Sequence, residues 1–213
     1  MLTRSALLIL LLASAAHANP NCPSNYIQAG PAKNSTNPTE TSSGSSSADG
    51  CPLGSGSSGA SYSIPGASFS VSASVSGECG AQARITMNDD FRVIGLPAGT
   101  PVAIGAVLHL HGYWSGATMS DAFGHQVQLF TDYEVNDGEA TLPIAAIAEQ
   151  PFRLTIDSRA GADYSITGSS GSGGFRFTDL PVGAAVVSCN GYVSDQSVAA
   201  RPTTWGKLKR IYR

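Results

Sequence analysis

Residues 68–76, SFSVSASVS, decide the fold of this chain. Phe69, Val71, Ala73 and Val75 alternate with serines, so every second side chain is apolar. Successive side chains of a β-strand point to opposite faces of the sheet, and a period of two therefore indicates a strand that is buried on one face only. The stretch predicts such a half-buried strand.

The same alternation recurs along the chain, in residues 83–88, 102–110, 126–135 and 152–157. Glycine and proline interrupt the pattern about every dozen residues, and no segment of this region has a helical period. Alternation on one side favours antiparallel sheets, because parallel strands read as continuous apolar runs. We predict an all-β fold for residues 61–195, an antiparallel β-sandwich or a small barrel.

Two segments of this region resemble each other. Residues 91–102 and 175–186 each contain a strand, a Leu-Pro-x-Gly turn and a second strand. Proline fixes φ at the start of such a turn and glycine permits a positive φ at its end, so we predict two similar sandwich corners rather than a repeated domain. Pro143 cannot donate to a strand ladder and indicates an edge strand or a bulge.

The first 18 residues have the pattern of a secretory signal peptide. Arg4 is followed by an apolar run over residues 7–12 and by Ala16-His17-Ala18, the small-x-small pattern of a cleavage site. The run is too short to cross a bilayer, and no other segment is long and apolar enough to be a transmembrane segment. We expect a secreted protein in the periplasm, at the cell surface or in the extracellular space.

Residues 19–60 are rich in serine and glycine. Runs such as residues 41–47, TSSGSSS, carry little apolar surface to offset the entropy of an ordered chain. The composition predicts a flexible arm that ends where the sandwich begins, at residue 61.

Four cysteines are present, at Cys22, Cys51, Cys79 and Cys189. Export favours disulfides, and four cysteines allow three connectivities that sequence alone does not separate. Two of them lie in the polar N-terminal stretch and two lie at the ends of the folded region. This placement favours Cys22–Cys51 and Cys79–Cys189, whereas the absence of a C-x-x-C pair argues against zinc.

The C-terminal residues 196–213 differ from the rest in being basic and amphipathic. Thr204 is a suitable cap for a short helix whose stripe contains Trp205 and Leu208, with Lys207, Lys209 and Arg210 beside it. We predict that these residues form a short helical tail and that Trp205, Leu208 and the three basic residues dock it at the cell envelope. The alternative is that the tail packs onto the sandwich.

The ending WGKLKRIYR resembles a tail, W-G-x-[L/I]-K-x-x-[Y/F]-R, that closes uncharacterised secreted bacterial β-sandwich proteins. The segment SCNGY, which contains Cys189, and the Leu-Pro-x-Gly corners are also similar to those exported domains. The resemblance implies a bacterial, exported β-domain and implies no activity.

His109 and His111 form an H-x-H pair whose side chains share one face of a strand, a spacing that suits a metal ion. Both are out of phase with the apolar residues Leu108 and Leu110 of the same strand. The remaining candidate ligand, His125, is instead in phase with the apolar residues Val127 and Leu129 that follow it. The phases predict that His109 and His111 face solvent and that His125 faces inward or lies at a strand end, so we expect no shared metal. A metal-dependent enzyme at His109 and His111 remains the least favoured function.

Two short acidic segments offer oxygen ligands for calcium. Asn88-Asp89-Asp90 and Asn136-Asp137-Gly138 both lack EF-hand spacing, and the second is also typical of a hairpin turn. Neither G-x-S-x-G nor H-E-x-x-H is present. We therefore expect no enzyme and no cofactor.

Gly112-Tyr113-Trp114-Ser115-Gly116 is the best candidate for ligand binding. Two adjacent aromatic side chains between glycines are suited to a sugar or an apolar partner. The interpretation that we favour for Trp114 itself is that it covers the end of the sandwich as part of the core.

The net charge of the chain argues against one class of partner, nucleic acid. With 12 basic and 15 acidic residues, the net charge of −3 offers no basic surface for nucleic acid. We predict a non-enzymatic structural or interaction module whose partner is a glycan or an envelope protein. The alternative is a carbohydrate-binding module that uses Tyr113 and Trp114.

Overall fold

The computed structural model describes residues 22–23, 25–30, 36–39, 43–49, 54–77, 80–163 and 165–194. In these ranges the chain forms thirteen strands and no helix. The strands are β1 (Asn25–Gly30), β2 (Thr36–Thr39), β3 (Ser43–Asp49), β4 (Gly54–Ser63), β5 (Ser68–Gly77), β6 (Ala81–Ile94), β7 (Pro101–Tyr113), β8 (Ser115–Asp121), β9 (Gln126–Phe130), β10 (Asn136–Ile147), β11 (Phe152–Ala162), β12 (Gly168–Thr178) and β13 (Ala185–Ser188).

The strands form two antiparallel sheets that face each other. The seven-stranded sheet has the order β2-β1-β6-β11-β8-β9, and β13 pairs with the C-terminal part of β6. The six-stranded sheet has the order β10-β7-β12-β5-β4-β3. The predicted antiparallel sandwich is confirmed. Strand β10, which contains Pro143, is an edge of its sheet, as the proline indicated. In the part of the chain that the structure describes, no helix has the length and hydropathy of a membrane span.

The sandwich starts earlier than the sequence indicated, so the predicted boundary at residue 61 is wrong. Strand β4 begins at Gly54, and its inward positions Ser58, Ala60 and Tyr62 are buried. β1, β2 and β3 precede it, so the described parts of the predicted arm belong to the sheets. Small side chains suffice in β4 because the strand is paired on both sides, with β3 and with β5.

Serine hydroxyls of this region form hydrogen bonds with each other on the outer face of the six-stranded sheet. The hydroxyls of Ser57 and Ser74 are 2.8 Å apart, and those of Ser61 and Ser70 are 2.7 Å apart. These pairs join residues that lie opposite each other on β4 and β5. Cross-strand hydroxyl pairs of this kind stabilise a sheet without apolar burial.

The core is richest in aromatic side chains at one end of the sandwich. The ring centroids of Phe91 and Phe177 are 5.3 Å apart, and those of Phe175 and Tyr192 are 5.1 Å apart. Phe152 packs against the same group. This cluster joins the two sheets, because Phe91 lies on β6 and Phe175 on β12.

The two predicted corners adopt the same backbone conformation. Gly99 and Gly183, at the ends of the two Leu-Pro-x-Gly turns, have φ of +84° and +86°. Each corner carries the chain from one sheet to the other. The corners lie side by side, since a Cβ on Gly95 would lie 2.2 Å from the carbonyl oxygen of Gly183. The similarity of sequence therefore reflects two equivalent crossovers.

The predicted disulfide pairing is wrong. Cys22 is bonded to Cys189, with their Cα atoms 5.6 Å apart and 167 positions between them. Pairing across the sheet explains this, because β1 and β13 both lie along the same edge of β6 and bring residues 22 and 189 together. Cys51 and Cys79 lie outside the described residues.

Three further predictions fall on residues that the structure does not describe. These are the signal peptide over residues 1–18, the helical tail over residues 196–213 and, within that tail, the docking residues from Trp205 to Arg210.

Candidate functional site

The turn between β7 and β8 places the two candidate aromatic residues. Tyr113 is the last residue of β7 and is half-buried, and Trp114 alone separates β7 from β8. Trp114 has a φ of +48° and is 42% exposed. The favoured interpretation, in which Trp114 covers the end of the sandwich as a core residue, is therefore wrong.

A set of hydrogen bonds holds this turn against the segment that follows β9. The N–H of Trp114 donates to the carbonyl of Asp132, 2.9 Å away. Next to it, the N–H of Ser115 donates to Oγ1 of the buried Thr131 at 3.0 Å, and their hydroxyls are 2.9 Å apart. The N–H of Thr131 in turn donates to the carbonyl of Ser115. The backbone beneath Trp114 is thus fixed by the next element of the same sheet.

Trp114 borders a hollow of about 640 Å³ on the outer face of the seven-stranded sheet, which we name the Trp114 hollow. Phe130, 64% exposed, is its second aromatic side chain. Its outward polar side chains are those of Gln82, Arg84 and Arg159. The hollow combines exposed aromatic rings with amide and guanidinium donors.

The strand register explains how these side chains meet. Arg84 on β6 is paired with Arg159 on β11, Arg159 with Gly116 on β8, and Gly116 with Phe130 on β9. These four residues form one row across four strands. Gly116 has no side chain, and a Cβ there would lie 2.9 Å from the ring of Phe130, so the ring lies over the glycine and forms a wall of the hollow.

Tyr113 belongs to a different surface. It lines a smaller hollow of about 380 Å³ on the six-stranded sheet, together with His111, Val135 and serines of β5 and β12. Trp114 and Tyr113 are adjacent in sequence, yet they contribute to hollows on opposite sheets, because the chain crosses between the sheets at this turn. The structure does not bring them together as one aromatic surface.

A third hollow, of about 590 Å³, lies beyond the other end of β8. Phe123, 85% exposed, lines it together with Ile147 and Phe152. Its charged groups are engaged with each other: Arg153 donates to Asp90, and Nδ1 of His125 lies 2.7 Å from Asp121. This surface offers no unpaired donor to a ligand among these groups.

The histidines are placed as their phases predicted. His109 and His111 are exposed on the outer face of β7, and His125 is exposed immediately before β9. His111 faces Asp137 across the β7–β10 pair, with Nδ1 2.5 Å from Oδ1. Among the described residues, no three His, Cys, Asp or Glu side chains are grouped to hold a metal ion.

The two acidic segments do not form ligand clusters. Asn88, Asp89 and Asp90 lie consecutively on β6, so Asp89 points into the core while its neighbours point outward. Asn136-Asp137-Gly138 is the start of β10, paired with β7, and the predicted hairpin turn is therefore wrong. The pairing with β7 extends the strand through residues that elsewhere favour turns.

Sequence reasoning missed Gln82, Arg84, Phe130 and Arg159. Their outward phase was readable from the alternation on β6, β9 and β11. Their neighbourhood was not, because it depends on which strands pair and in what register.

Comparisons with known proteins give little further guidance. No family model matches the chain, and no curated protein matches it. Among solved structures, the chain is similar to TmCBM61, determined in complex with β-1,4-galactotriose. The identity is 14% and the TM-score is 0.32, over 65% of this chain and 90% of that one.

Proposed function

We propose that this protein is a secreted, non-catalytic binding module and that it binds a saccharide in the Trp114 hollow. The proposal assigns the protein no reaction. It retains Trp114 from the sequence prediction and replaces Tyr113 with Phe130, Gln82 and Arg159 as the residues beside it.

The conformation of Trp114 carries the proposal. A large side chain at positive φ costs on the order of 1–3 kcal/mol, and glycine would avoid the cost. Trp114 keeps this conformation at a tight turn and still leaves 42% of its surface exposed. Strain of this kind at a side chain that stays well exposed indicates a side chain held for contact with something else.

The chemistry of the hollow suits a sugar ring. One face of a pyranose ring is covered by C–H groups, which pack against an aromatic ring, whereas its hydroxyls need hydrogen-bond partners. Trp114 and Phe130 supply the rings, and Gln82 supplies an amide that both donates and accepts. An open, mixed surface of this kind suits part of a chain, such as a polysaccharide, better than a small molecule that must be enclosed.

The Cys22–Cys189 disulfide supports a location outside the cytoplasm, because disulfides persist in oxidising compartments. The predicted signal peptide points in the same direction. Both agree with a polysaccharide ligand, which is found at the cell surface and outside it.

A glycan array compared across three proteins tests the proposal. The wild-type chain should bind at least one class of saccharide, and Trp114→Gly should lose that binding because it removes the ring. Glycine is the replacement chosen because it adopts the positive φ of this position without strain. Phe123→Ala is the matched control, since it removes an exposed aromatic ring from the hollow beyond the other end of β8. Binding that is unchanged in Trp114→Gly, or no binding to any saccharide, would refute the proposal.

A further inference from the structure

Two arginines face each other in the Trp114 hollow. Arg84 and Arg159 are directly paired across β6 and β11, and both side chains are exposed on the outer face. Like charges at directly opposite positions of an antiparallel pair destabilise the sheet. A carboxylate close to either group relieves this repulsion.

Among the described residues, a carboxylate neutralises one of the two arginines. Nε of Arg84 donates to Oδ2 of Asp157 at 3.0 Å, and Nη2 donates to the same oxygen. Thr86 also donates to that oxygen, at 3.1 Å. Asp157 is thus committed to Arg84 and Thr86.

Arg159 has no such partner. In the described ranges its guanidinium forms no hydrogen bond and no ion pair, although Arg153 and Arg176 on the same two sheets are each bound to a carboxylate. Among the described residues, the charged side chains that line the hollow are both arginines, and none is a carboxylate. The hollow therefore presents a free guanidinium beside two aromatic rings.

We infer that the saccharide carries a carboxylate, that is, a hexuronate unit in an acidic polysaccharide. This inference rests on the proposed function and names the class of its ligand. The planar guanidinium of Arg159 pairs with the planar carboxylate through two parallel hydrogen bonds, while the sugar ring packs on Trp114 or Phe130. A neutral sugar would leave the charge of Arg159 without a partner.

A panel of uronate polymers tests the inference. Polygalacturonate, alginate and glucuronan are compared with their methyl esters, which keep the same backbone and remove the charge. Binding to the wild-type chain is measured by isothermal titration calorimetry at low and at moderate salt. We expect at least one acidic polymer to bind, its ester to bind more weakly, and added salt to weaken binding to the acid by screening.

Two arginine variants separate a specific site from general attraction. Arg159→Gln should weaken binding to the acidic polymer about tenfold or more, the effect of losing a charged hydrogen bond. Arg92→Gln is the matched control, because Arg92 is exposed on the same face of β6, about 26 Å along the strand from Arg84. Arg92→Gln should bind like the wild type.

The possible outcomes separate the inference from the proposed function. Equal binding to acid and ester that depends on Trp114 overturns the uronate inference and leaves saccharide binding intact. Equal weakening by Arg92→Gln and Arg159→Gln shows unspecific charge attraction and also overturns the inference. If no uronate binds while a neutral saccharide on the array does, the inference fails alone; if nothing binds, both fail.

Discussion

Asp89 and Asn190 lie 101 positions apart and are joined by two hydrogen bonds inside the sandwich. The backbone N–H of Asn190 donates to Oδ2 of Asp89, and its side-chain amide donates to Oδ1, both at 3.2 Å. Asp89 is only 2% exposed, and Asn190 directly follows Cys189. A buried carboxylate thus helps to fasten the end of the described chain to β6, beside the disulfide.

The first prediction concerns the pH dependence of this contact. Burial raises the pKa of Asp89, and its hydrogen bonds offset this only in part. A carboxyl group whose folded-state pKa is raised adds stability that is fully present below its unfolded pKa and is lost as pH rises through the folded pKa. The free energy of unfolding of the wild type, relative to Asp89→Asn, should therefore increase as pH falls from 7 to 4.

Denaturant unfolding of both proteins across this range measures the difference. Exposed carboxylates with lowered pKa, such as Asp163, are common to both proteins and cancel. A difference that shrinks on acidification would mean that the hydrogen bonds, rather than burial, dominate at Asp89.

The second prediction concerns the cysteines. Replacing both Cys22 and Cys189 by serine should lower the free energy of unfolding by about 3–5 kcal/mol, because the bond closes a very long loop in the unfolded chain. Thermal and denaturant melts of the oxidised proteins provide the measurement. A change below about 1 kcal/mol would contradict the expectation.

The same bond determines where to look for the other pair. With Cys22 and Cys189 joined, Cys51 and Cys79 are the remaining cysteines of the chain. The described β4–β5 ladder ends at the paired residues Gly54 and Gly77, a few positions from each. We expect non-reducing peptide mapping to find Cys51 joined to Cys79, and a peptide that links Cys22 to Cys51 would contradict both pairings.

The third prediction concerns the hydrogen bonds that fix the backbone at Trp114 and Ser115. Thr131→Val keeps the shape of the side chain and removes the hydroxyl that accepts from the N–H of Ser115. Since Thr131 is buried, an unsatisfied donor there should cost about 1–3 kcal/mol of stability. Saccharide binding should weaken together with the melting temperature, because the same hydrogen bonds position Trp114. Thr155→Val, which removes the half-buried hydroxyl bonded to Asn88, is a control that should affect stability alone.

The fourth prediction separates stability from binding at Trp114. Trp114→Gly should melt within a few degrees of the wild type, because the steric cost of a φ of +48° that glycine avoids offsets the loss of the covered part of the ring. Differential scanning calorimetry tests this on the protein used for the glycan array. A melting temperature lowered by several degrees would show that the ring supports the fold, and loss of binding would then have a structural explanation.

The fifth prediction concerns the basic tail. The basic, amphipathic sequence of residues 201–213, with Trp205 and Leu208 on one stripe, differs from the nearly neutral sandwich. We therefore expect deletion of residues 201–213 to leave the melting temperature unchanged and to reduce retention at the cell envelope. Unchanged retention with a lower melting temperature would instead assign Trp205 and Leu208 to the fold.

Much of the fold was predictable from the sequence because alternation is a local property. The period of two in residues 68–76 indicated a half-buried strand, the two Leu-Pro-x-Gly segments indicated equivalent corners, and Pro143 indicated an edge. The start of the sandwich was missed, since the serine-rich strand β4 is held by its pairing with β3 and β5 rather than by its own apolar content.

At the candidate site, too, some features follow from local sequence and others depend on the pairing of distant strands. The sequence by itself determined that residues 112–116 are a ligand-binding candidate and that residues 83–88 and 152–157 alternate between an inner and an outer face, because these follow from residue type and phase. Only the tertiary structure decided that Arg159 lies opposite Arg84 and in the same row as Phe130, that Tyr113 faces another surface, and that Cys22 meets Cys189. The physical reason is that each of these contacts depends on the order and register of strands distant in sequence, and the side-chain pattern of one strand carries no information about its partner.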